Sequence, residues 1–422
     1  MRLSSVGKAF QGAISIAGQQ TGRVKTLPRT PPKFWPRLST RLRSEAVTAR
    51  IGRLLGTAFT ICFLTGLLSH IQYHPLSWFP TPAIPSWGYR VTQGLHVCTG
   101  IASIPLLLAK LWSVYPRLFT WPPFTTVLQA LERASIAALV STAILELGTG
   151  LLNILGWYPW PWGFVAVHYW LAFVIIGSII LHVAVKLDVI KRGLATDIGV
   201  TTLPDTDRLT ADPVPDDRPA TDVSEVGGLT RRGVLITAGA GVGVVALTTI
   251  GQTARPLEPI ALLAARQPKK GPLGVPINRT AKDVGAAKSA TAGDYRLQVA
   301  GPKPFDLSLA ELEALPTHES DLPIACVEGW SAGATWRGPR LFDLVERAGG
   351  DAASTVRVVS LQSNPSPEST TQIKGEQMRR ALLATHLNGV RLPLDHGYPV
   401  RLIAPNRAGA LNTKWLARLE VR

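Results

Sequence analysis

Apolar residues are distributed unevenly along this chain. Four long runs, at about 52–72, 90–112, 134–156 and 164–186, carry few charges. Each is close to the roughly twenty residues an α-helix needs to cross a hydrocarbon layer. A weaker run of Gly, Ala and Val follows Arg231-Arg232 and ends near Gly251. Ahead of it, residues 193–230 repeat Asp, Pro and Thr with almost no large apolar side chains, the composition of a flexible linker. From residue 277 the pattern shortens. Tyr295–Val299 and Val356–Leu361 alternate as strands, Ser308–Ala314 and Leu341–Ala348 read as brief helices, and Arg401–Ile403 and Leu416–Val421 as further strands. The predicted architecture is multidomain. A basic segment (1–50) precedes a four-helix transmembrane bundle (51–192), the linker (193–230) and a fifth helix (231–252). A tether (253–275) leads to an α+β domain with mixed sheets (276–422).

Composition supports a membrane location for part of the 422 residues, with 46% hydrophobic residues, 17% charged residues and 12 tryptophans. The net charge of +16 could suggest nucleic acid, but its distribution argues otherwise. Arg2 to Arg53 holds many Arg and Lys with Glu45 as the only acid, the pattern of a cytoplasmic flank. Lys110, Arg117, Arg133, Lys186, Lys191 and Arg192 cluster on the same predicted side. Pro75–Trp87 and Gly156–Trp162, rich in Trp, Tyr and Pro, fall on the other. No nucleic-acid partner is expected, and membrane lipid is. The first fifty residues lack the apolar core of a cleavable secretory signal.

Histidines carry the chemistry of the apolar half. His168 and His182 stand 14 residues apart in the fourth run. That is nearly four helical turns, so both point one way, about 21 Å apart along the axis. His96 matches the depth of His168, which suits a bis-imidazole haem, and His70 competes for the same level. His182 has no clear partner. Haem b, one or two, is therefore expected on ligands drawn from His70, His96, His168 and His182. Glu146, inside the third run, reads either as a proton relay near a quinone or as a partner for a neighbouring helix. This spacing resembles the b-type cytochrome subunits that serve bacterial formate dehydrogenases and hydrogenases.

Three cysteines give no disulfide framework. Cys62 and Cys98 lie in apolar runs and read as packing residues, whereas Cys326 sits in Cys326-Val327-Glu328-Gly329-Trp330-Ser331. A lone cysteine is most often core. Here it is followed by Trp336-Arg337-Gly338, then by Asp395-His396-Gly397-Tyr398-Pro399-Val400-Arg401 and Asn412-Thr413-Lys414-Trp415. Arg401 and Lys414 supply positive charge for a phosphate, and Gly397 and Gly409 allow close backbone approach. These motifs, over about 275–422, resemble the molybdopterin domain of the sulfite oxidase superfamily, closest to its bacterial methionine-sulfoxide-reductase-like branch.

The resemblance implies a molybdenum centre with Cys326 as its protein ligand and catalytic residue. It also implies cofactor contacts from Asn278, Ala281, Lys282, His396, Arg401, Asn412, Thr413 and Lys414. Two departures accompany it. A family Thr falls on Leu361, and Ser363–Gly375 lacks the aromatics of relatives. Thr230-Arg231-Arg232 resembles a Tat export signal placed internally, and the plain alternative is a fifth transmembrane helix. Either puts the C-terminal domain on the extracytoplasmic side of the cell membrane. The expected function is oxygen-atom transfer on a sulfur-containing substrate, with electrons exchanged between quinone, haem b and molybdenum. The alternative is a haem b electron carrier whose outer domain only binds a partner.

Overall fold

The computed structural model describes residues 43–76, 78, 79, 81–118, 126–198, 230–264, 266, 270–364 and 369–422. The basic segment ahead of residue 43, most of the 193–230 linker, and parts of the tether and of Ser363–Gly375 lie outside the described residues.

Five long helices come first: α1 (Glu45–Tyr73), α2 (Gly88–Leu118), α3 (Val127–Leu155), α4 (Phe164–Ala195) and α5 (Arg231–Ile250). Each contains a stretch long and apolar enough to cross a membrane. The four predicted runs fall within α1–α4 and the Gly/Ala/Val run within α5. Large apolar side chains face outward from them, with Leu131 63%, Trp170 67% and Ile180 64% exposed. An aqueous surface rarely carries so much contiguous apolar area, whereas lipid favours it.

The described chain forms two compact units. One comprises α1 up to Thr60, Thr99–Leu152 and Tyr158–Val245. Its core joins Leu55 and Phe59 of α1 to Leu106 and Leu107 of α2, Ala143 of α3 and Ile175 of α4. Cations link the helices: Lys110 Nζ of α2 donates to Thr48 O near the start of α1 at 2.9 Å, and Arg50 Nη1 of α1 donates to Gly193 O in the last turn of α4, where carbonyls lack intrahelical partners, at 3.2 Å.

The other unit joins Ile61–Cys98 and Asn153–Trp157 to Ala246–Arg422. It contains the α+β domain. The strands are β1 (Arg296–Ala300), β2 (Phe305–Ser308), β3 (His318–Ala325), β4 (Ser331–Gly338), β5 (Thr355–Ser360), β6 (Thr370–Lys374), β7 (Leu382–Ala384), β8 (His386–Leu387), β9 (Val390–Arg391), β10 (Arg401–Ile403) and β11 (Leu416–Val421). A five-stranded sheet runs β2-β1-β11-β5-β6, a four-stranded sheet β3-β4-β8-β9, and β10 pairs with β7. Only β1 with β11 is parallel among these ladders.

Alternation of burial follows the sequence: Val356, Val358 and Ser360 of β5 point inward while Thr355, Arg357 and Val359 are half-buried. The short helices are α6 (Ala287–Ala290), α7 (Leu309–Glu313), α8 (Leu341–Arg347) and α9 (Gly375–Arg379). Helix α7 opens on a capping box. Glu311 N–H donates to Ser308 Oγ, and Ser308 N–H donates to the Glu311 carboxylate.

Asn406 ties the 61–98 segment to the domain from a left-handed backbone (φ 50) that Asn tolerates better than most residues. Its Oδ1 accepts from Tyr89 N–H at 2.6 Å, capping the start of α2 from more than three hundred residues away, and from Gln72 Nε2 at 3.2 Å. Its Nδ2 donates to Pro82 O at 2.7 Å and its N–H to Ser86 O at 3.1 Å. Removing the side chain strands a buried donor and an acceptor together. Asn406→Ala should therefore destabilise the full-length protein in detergent by roughly 2–4 kcal/mol. Denaturant unfolding followed by Trp fluorescence checks this, and a change below about 0.5 kcal/mol, the scatter of ordinary surface substitutions, refutes it.

Candidate functional site

Cys326 follows the last residue of β3, and the turn 326–330 leads into β4. The turn closes on itself: Gly329 N–H donates to Cys326 O at 3.0 Å and Cys326 N–H to Trp330 O at 2.9 Å. Gly329 lies at φ 95, beyond the reach of most side chains. Cys326 is 3% exposed and packs among Ile324, Trp330, Trp336 and Leu382. The Trp330 indole N–H donates to Glu328 Oε2 at 2.9 Å, which Arg266 Nε also reaches at 2.6 Å. Ala325 bridges Ala408 in parallel, which brings the thiol segment beside the loop 405–415.

That loop walls a small open cleft lined by Asn278, Arg279, Val284, Gln362, Gly409, Ala410, Asn412, Lys414 and Trp415. Three expected cofactor contacts, Asn278, Asn412 and Lys414, thus come together. Lys414 Nζ donates to Arg279 O and Asp395 O, each at 2.9 Å, and so draws three distant segments to one edge. Asn412 Oδ1 accepts from Ala404 N–H at 3.0 Å.

His396 and Arg401 stand behind this wall and are nearly fully buried. Arg401 Nη1 donates to His396 O at 3.1 Å, and its guanidinium lies 5.4 Å from the Trp336 ring centroid. Between them Gly397 (φ 113) leaves room for no Cβ, which would meet Arg401 Cβ at 3.2 Å and Lys414 Cβ at 3.1 Å. The other expected contacts are placed differently. Thr413 turns its hydroxyl to Thr371 Oγ1 at 2.8 Å. Ala281 gives its N–H to Asp395 Oδ1 at 2.8 Å, and Lys282 is exposed and absent from the cleft wall.

Sequence reading missed Arg279, Gln362 and Ala410. Arg279 adjoins Asn278 and could have been read with it; Gln362 and Ala410 carry no local signal. Arg407, in the same loop, is buried and donates to Leu411 O, Gln377 Oε1 and Gln372 O. Burial lowers its pKa to about 10, still charged near neutrality.

These residues fit an anionic cofactor that brings metal ligands of its own. No group of three or more His, Cys, Asp or Glu suited to a metal occurs among the described residues. Cations and amides around the cleft suit a phosphate. The buried Ser331 Oγ, one residue past the turn, has no hydrogen-bond partner among the described residues, a polar atom left over beside the thiol segment.

In the helices, His96 Nδ1 lies 2.9 Å from Cys62 O; a carbonyl only accepts, so Nδ1 carries the proton and Nε2 the lone pair. Gly66 makes room for this ring, since a Cβ there would lie 2.7 Å from His96 Cε1. His168 is engaged at both nitrogens, with Nε2 at 3.2 Å from Glu146 Oε1 and Nδ1 at 3.3 Å from Thr149 Oγ1. Glu146 therefore pairs across to α4. His70 lies against His74, ring centroids 4.7 Å apart, and His182 has Lys110, Lys186 and Glu132 as charged neighbours.

Comparison with known proteins agrees with the C-terminal geometry. Residues 284–422 match the family described as oxidoreductase molybdopterin binding domain. Mitochondrial sulfite oxidase of Rattus norvegicus is 34% identical over 157 residues, which cover 30% of this chain and 29% of that protein. The uncharacterized oxidoreductase YuiH of Bacillus subtilis is 31% identical over 129 residues, 30% of this chain and 64% of that protein. The catalytic subunit MsrP, a protein-methionine-sulfoxide reductase of Xanthomonas campestris, is 28% identical over 152 residues, 32% of this chain and 47% of that protein. The solved sulfane dehydrogenase SoxCD of Paracoccus pantotrophus aligns with 30% of this chain and 38% of its own at 24% identity. Its TM-score of 0.27 is too low to compare topology. The chain spans about three-tenths of the length of the sulfite oxidases it matches. Residues 284–422 thus match a molybdopterin-binding oxidoreductase domain, with sulfite oxidases and a methionine-sulfoxide reductase among the proteins similar to it.

Burial lowers the pKa of His396 from 6.5 to about 4, helped by the charges of Arg401 and Lys414; its hydrogen bond to Pro272 O opposes the shift. Between pH 6.5 and 4 the unfolded chain takes up a proton that the folded ring refuses. Stability from this group is complete above pH 6.5 and falls as pH drops toward 4, by up to about 3 kcal/mol. His396→Gln should flatten that acid limb in urea unfolding series at pH 7 and 4.5. An equally steep loss in the variant would assign the acid sensitivity elsewhere.

Proposed function

We propose that this chain is a membrane-anchored, molybdopterin-dependent oxidoreductase acting on a sulfur-containing substrate at the extracytoplasmic side, exchanging electrons with quinone through haem b. The observation that carries the reading is the meeting of the Cys326 segment, through the Ala325–Ala408 bridge, with a cleft edged by Asn278, Arg279, Asn412 and Lys414 inside the matched domain.

In this reading Cys326 is the protein's thiolate to molybdenum. Lys414 and Arg279 hold the pterin phosphate, Asn278 and Asn412 orient it by hydrogen bonds, and Arg401 contributes positive potential from behind the wall. When bound, the cofactor supplies two-electron oxygen-atom transfer. Ala281, His396 and Thr413 support the wall, since their polar groups serve the fold, and Lys282 is left to solvent beside it.

Sulfite oxidases and a methionine-sulfoxide reductase among the relatives support a sulfur substrate in either direction. Haem b, one or two, is proposed on imidazoles from His70, His96, His168 and His182. The best-supported ligand is His96, whose ring is fixed by Cys62 O. For His168 the carboxylate at its Nε2 supports a second reading, a proton-accepting pair with Glu146 beside quinone. The Arg231-Arg232 start of α5 is consistent with a Tat-type or an ordinary transmembrane anchor.

Elemental analysis and a pyridine-haemochrome spectrum on the same detergent-purified sample test this reading. One molybdenum with one or two haem irons per chain is expected. Haem without molybdenum, from cells able to make the cofactor, would return the electron-carrier alternative. Cys326→Ser should abolish turnover and leave the haem spectrum unchanged.

A further inference from the structure

The turn that carries Cys326 is not held by its own domain alone. Gln93 Nε2, in the first part of α2, donates to Val327 O at 2.7 Å. Thr253 Oγ1, just past α5, donates to Gly329 O at 2.7 Å, and Ser331 N–H donates to Gln252 O at 2.9 Å. Thr253 O in turn accepts from Arg90 Nε at 2.9 Å, so α2 grips both the turn and the segment that holds it. A Cβ on Gly329 would come within 2.7 Å of Val97 Cγ2 and 2.9 Å of Gln252 Nε2, so the turn seats flush against these neighbours. Gln93, Val97, Gln252 and Thr253 all lie outside the matched residues 284–422. A five-residue turn with two internal hydrogen bonds has few means of fixing itself. The external bonds to its second and fourth residues set where the first one points.

We propose that Gln93 and Thr253 are positioning residues for Cys326, so that the helix segment and the post-α5 segment fix the thiol of the molybdopterin domain. The role of Cys326 as a metal ligand rests on the reading above; the positioning of the thiol does not. His96 follows Gln93 by three residues, about 4.5 Å of helical rise, so one turn of α2 carries both this grip and an imidazole proposed for haem.

The experiment uses full-length protein in a Cys62→Ala, Cys98→Ala background, where Cys326 is the only thiol. In protein from cells unable to make the pterin, the rate of alkylation by iodoacetamide is measured. Gln93→Leu and the isosteric Thr253→Val should raise that rate about tenfold, the opening expected when one buried hydrogen bond is lost. Thr253→Ser, which keeps the donor, should restore the parental rate. In protein from cofactor-competent cells, the Mo(V) electron paramagnetic resonance signal should shift in Gln93→Leu and Thr253→Val and not in Thr253→Ser, with the haem spectrum constant. Parental alkylation rates in both variants would overturn the proposal, as would a Thr253→Ser protein that behaves like Thr253→Val. If wild type from competent cells holds no molybdenum, the molybdenum reading fails while the alkylation rates still decide this one.

Discussion

A backbone carbonyl withdrawn from water must find a donor, at a cost on the order of 1–3 kcal/mol when it does not. The Cys326–Trp330 turn meets that demand with help from far along the chain. Two of its groups close the turn, and Val327 O and Gly329 O are served by Gln93 and Thr253. The same demand explains Asn406, whose amide answers a helix N–H and a loop carbonyl at once. In both places a polar side chain substitutes for the water that burial removed. The placement of the thiol and the seating of the 61–98 segment in its compact unit are therefore one hydrogen-bonding problem solved twice.

Charge is arranged around the cleft with comparable economy. Arg407 is buried on three oxygens that carry no formal charge, so its positive potential is not cancelled at source. Arg401 reaches a carbonyl and an aromatic face, and His396 beside it stays neutral. A neutral imidazole avoids adding a buried cation next to Arg401 and the half-buried Lys414. The result is a wall with positive potential and short polar side chains, which favours an anion over a cation or an apolar ligand.

Several polar groups within the apolar helices are paired with one another. Glu146 with His168 and Thr149, and His96 with Cys62 O, are polar contacts within these helices among the described residues. Lipid offers no hydrogen bonds, so such groups persist only when paired. Glu146 had two readings in the sequence; its contact with His168 is compatible with both, since a pair across helices is also a place to hold a proton.

Much of this was legible before any coordinates. The five apolar helices could be read because spanning a bilayer requires long uniform runs. Six short elements of the C-terminal domain, β1, β5, β10, β11, α7 and α8, could be read because a half-buried strand must alternate, as β5 does, and a short helix carries its own apolar spacing. The β3–β4 hairpin around Cys326 was not read, since Ala325-Cys326-Val327 lacks a periodic signal and its turn is held in part by contacts from distant segments. Local sequence also determined which residues carry chemistry: a lone thiol, cations and amides in the last quarter of the chain, and histidines in the apolar runs. Only the tertiary structure decided which of them meet. It gathered Asn278, Arg279, Asn412 and Lys414, tied the Thr413 hydroxyl to Thr371, and put Gln93 and Thr253 on the thiol's turn. The reason is physical: periodicity is a property of neighbours in sequence, whereas a cleft depends on which distant backbone groups have to satisfy one another.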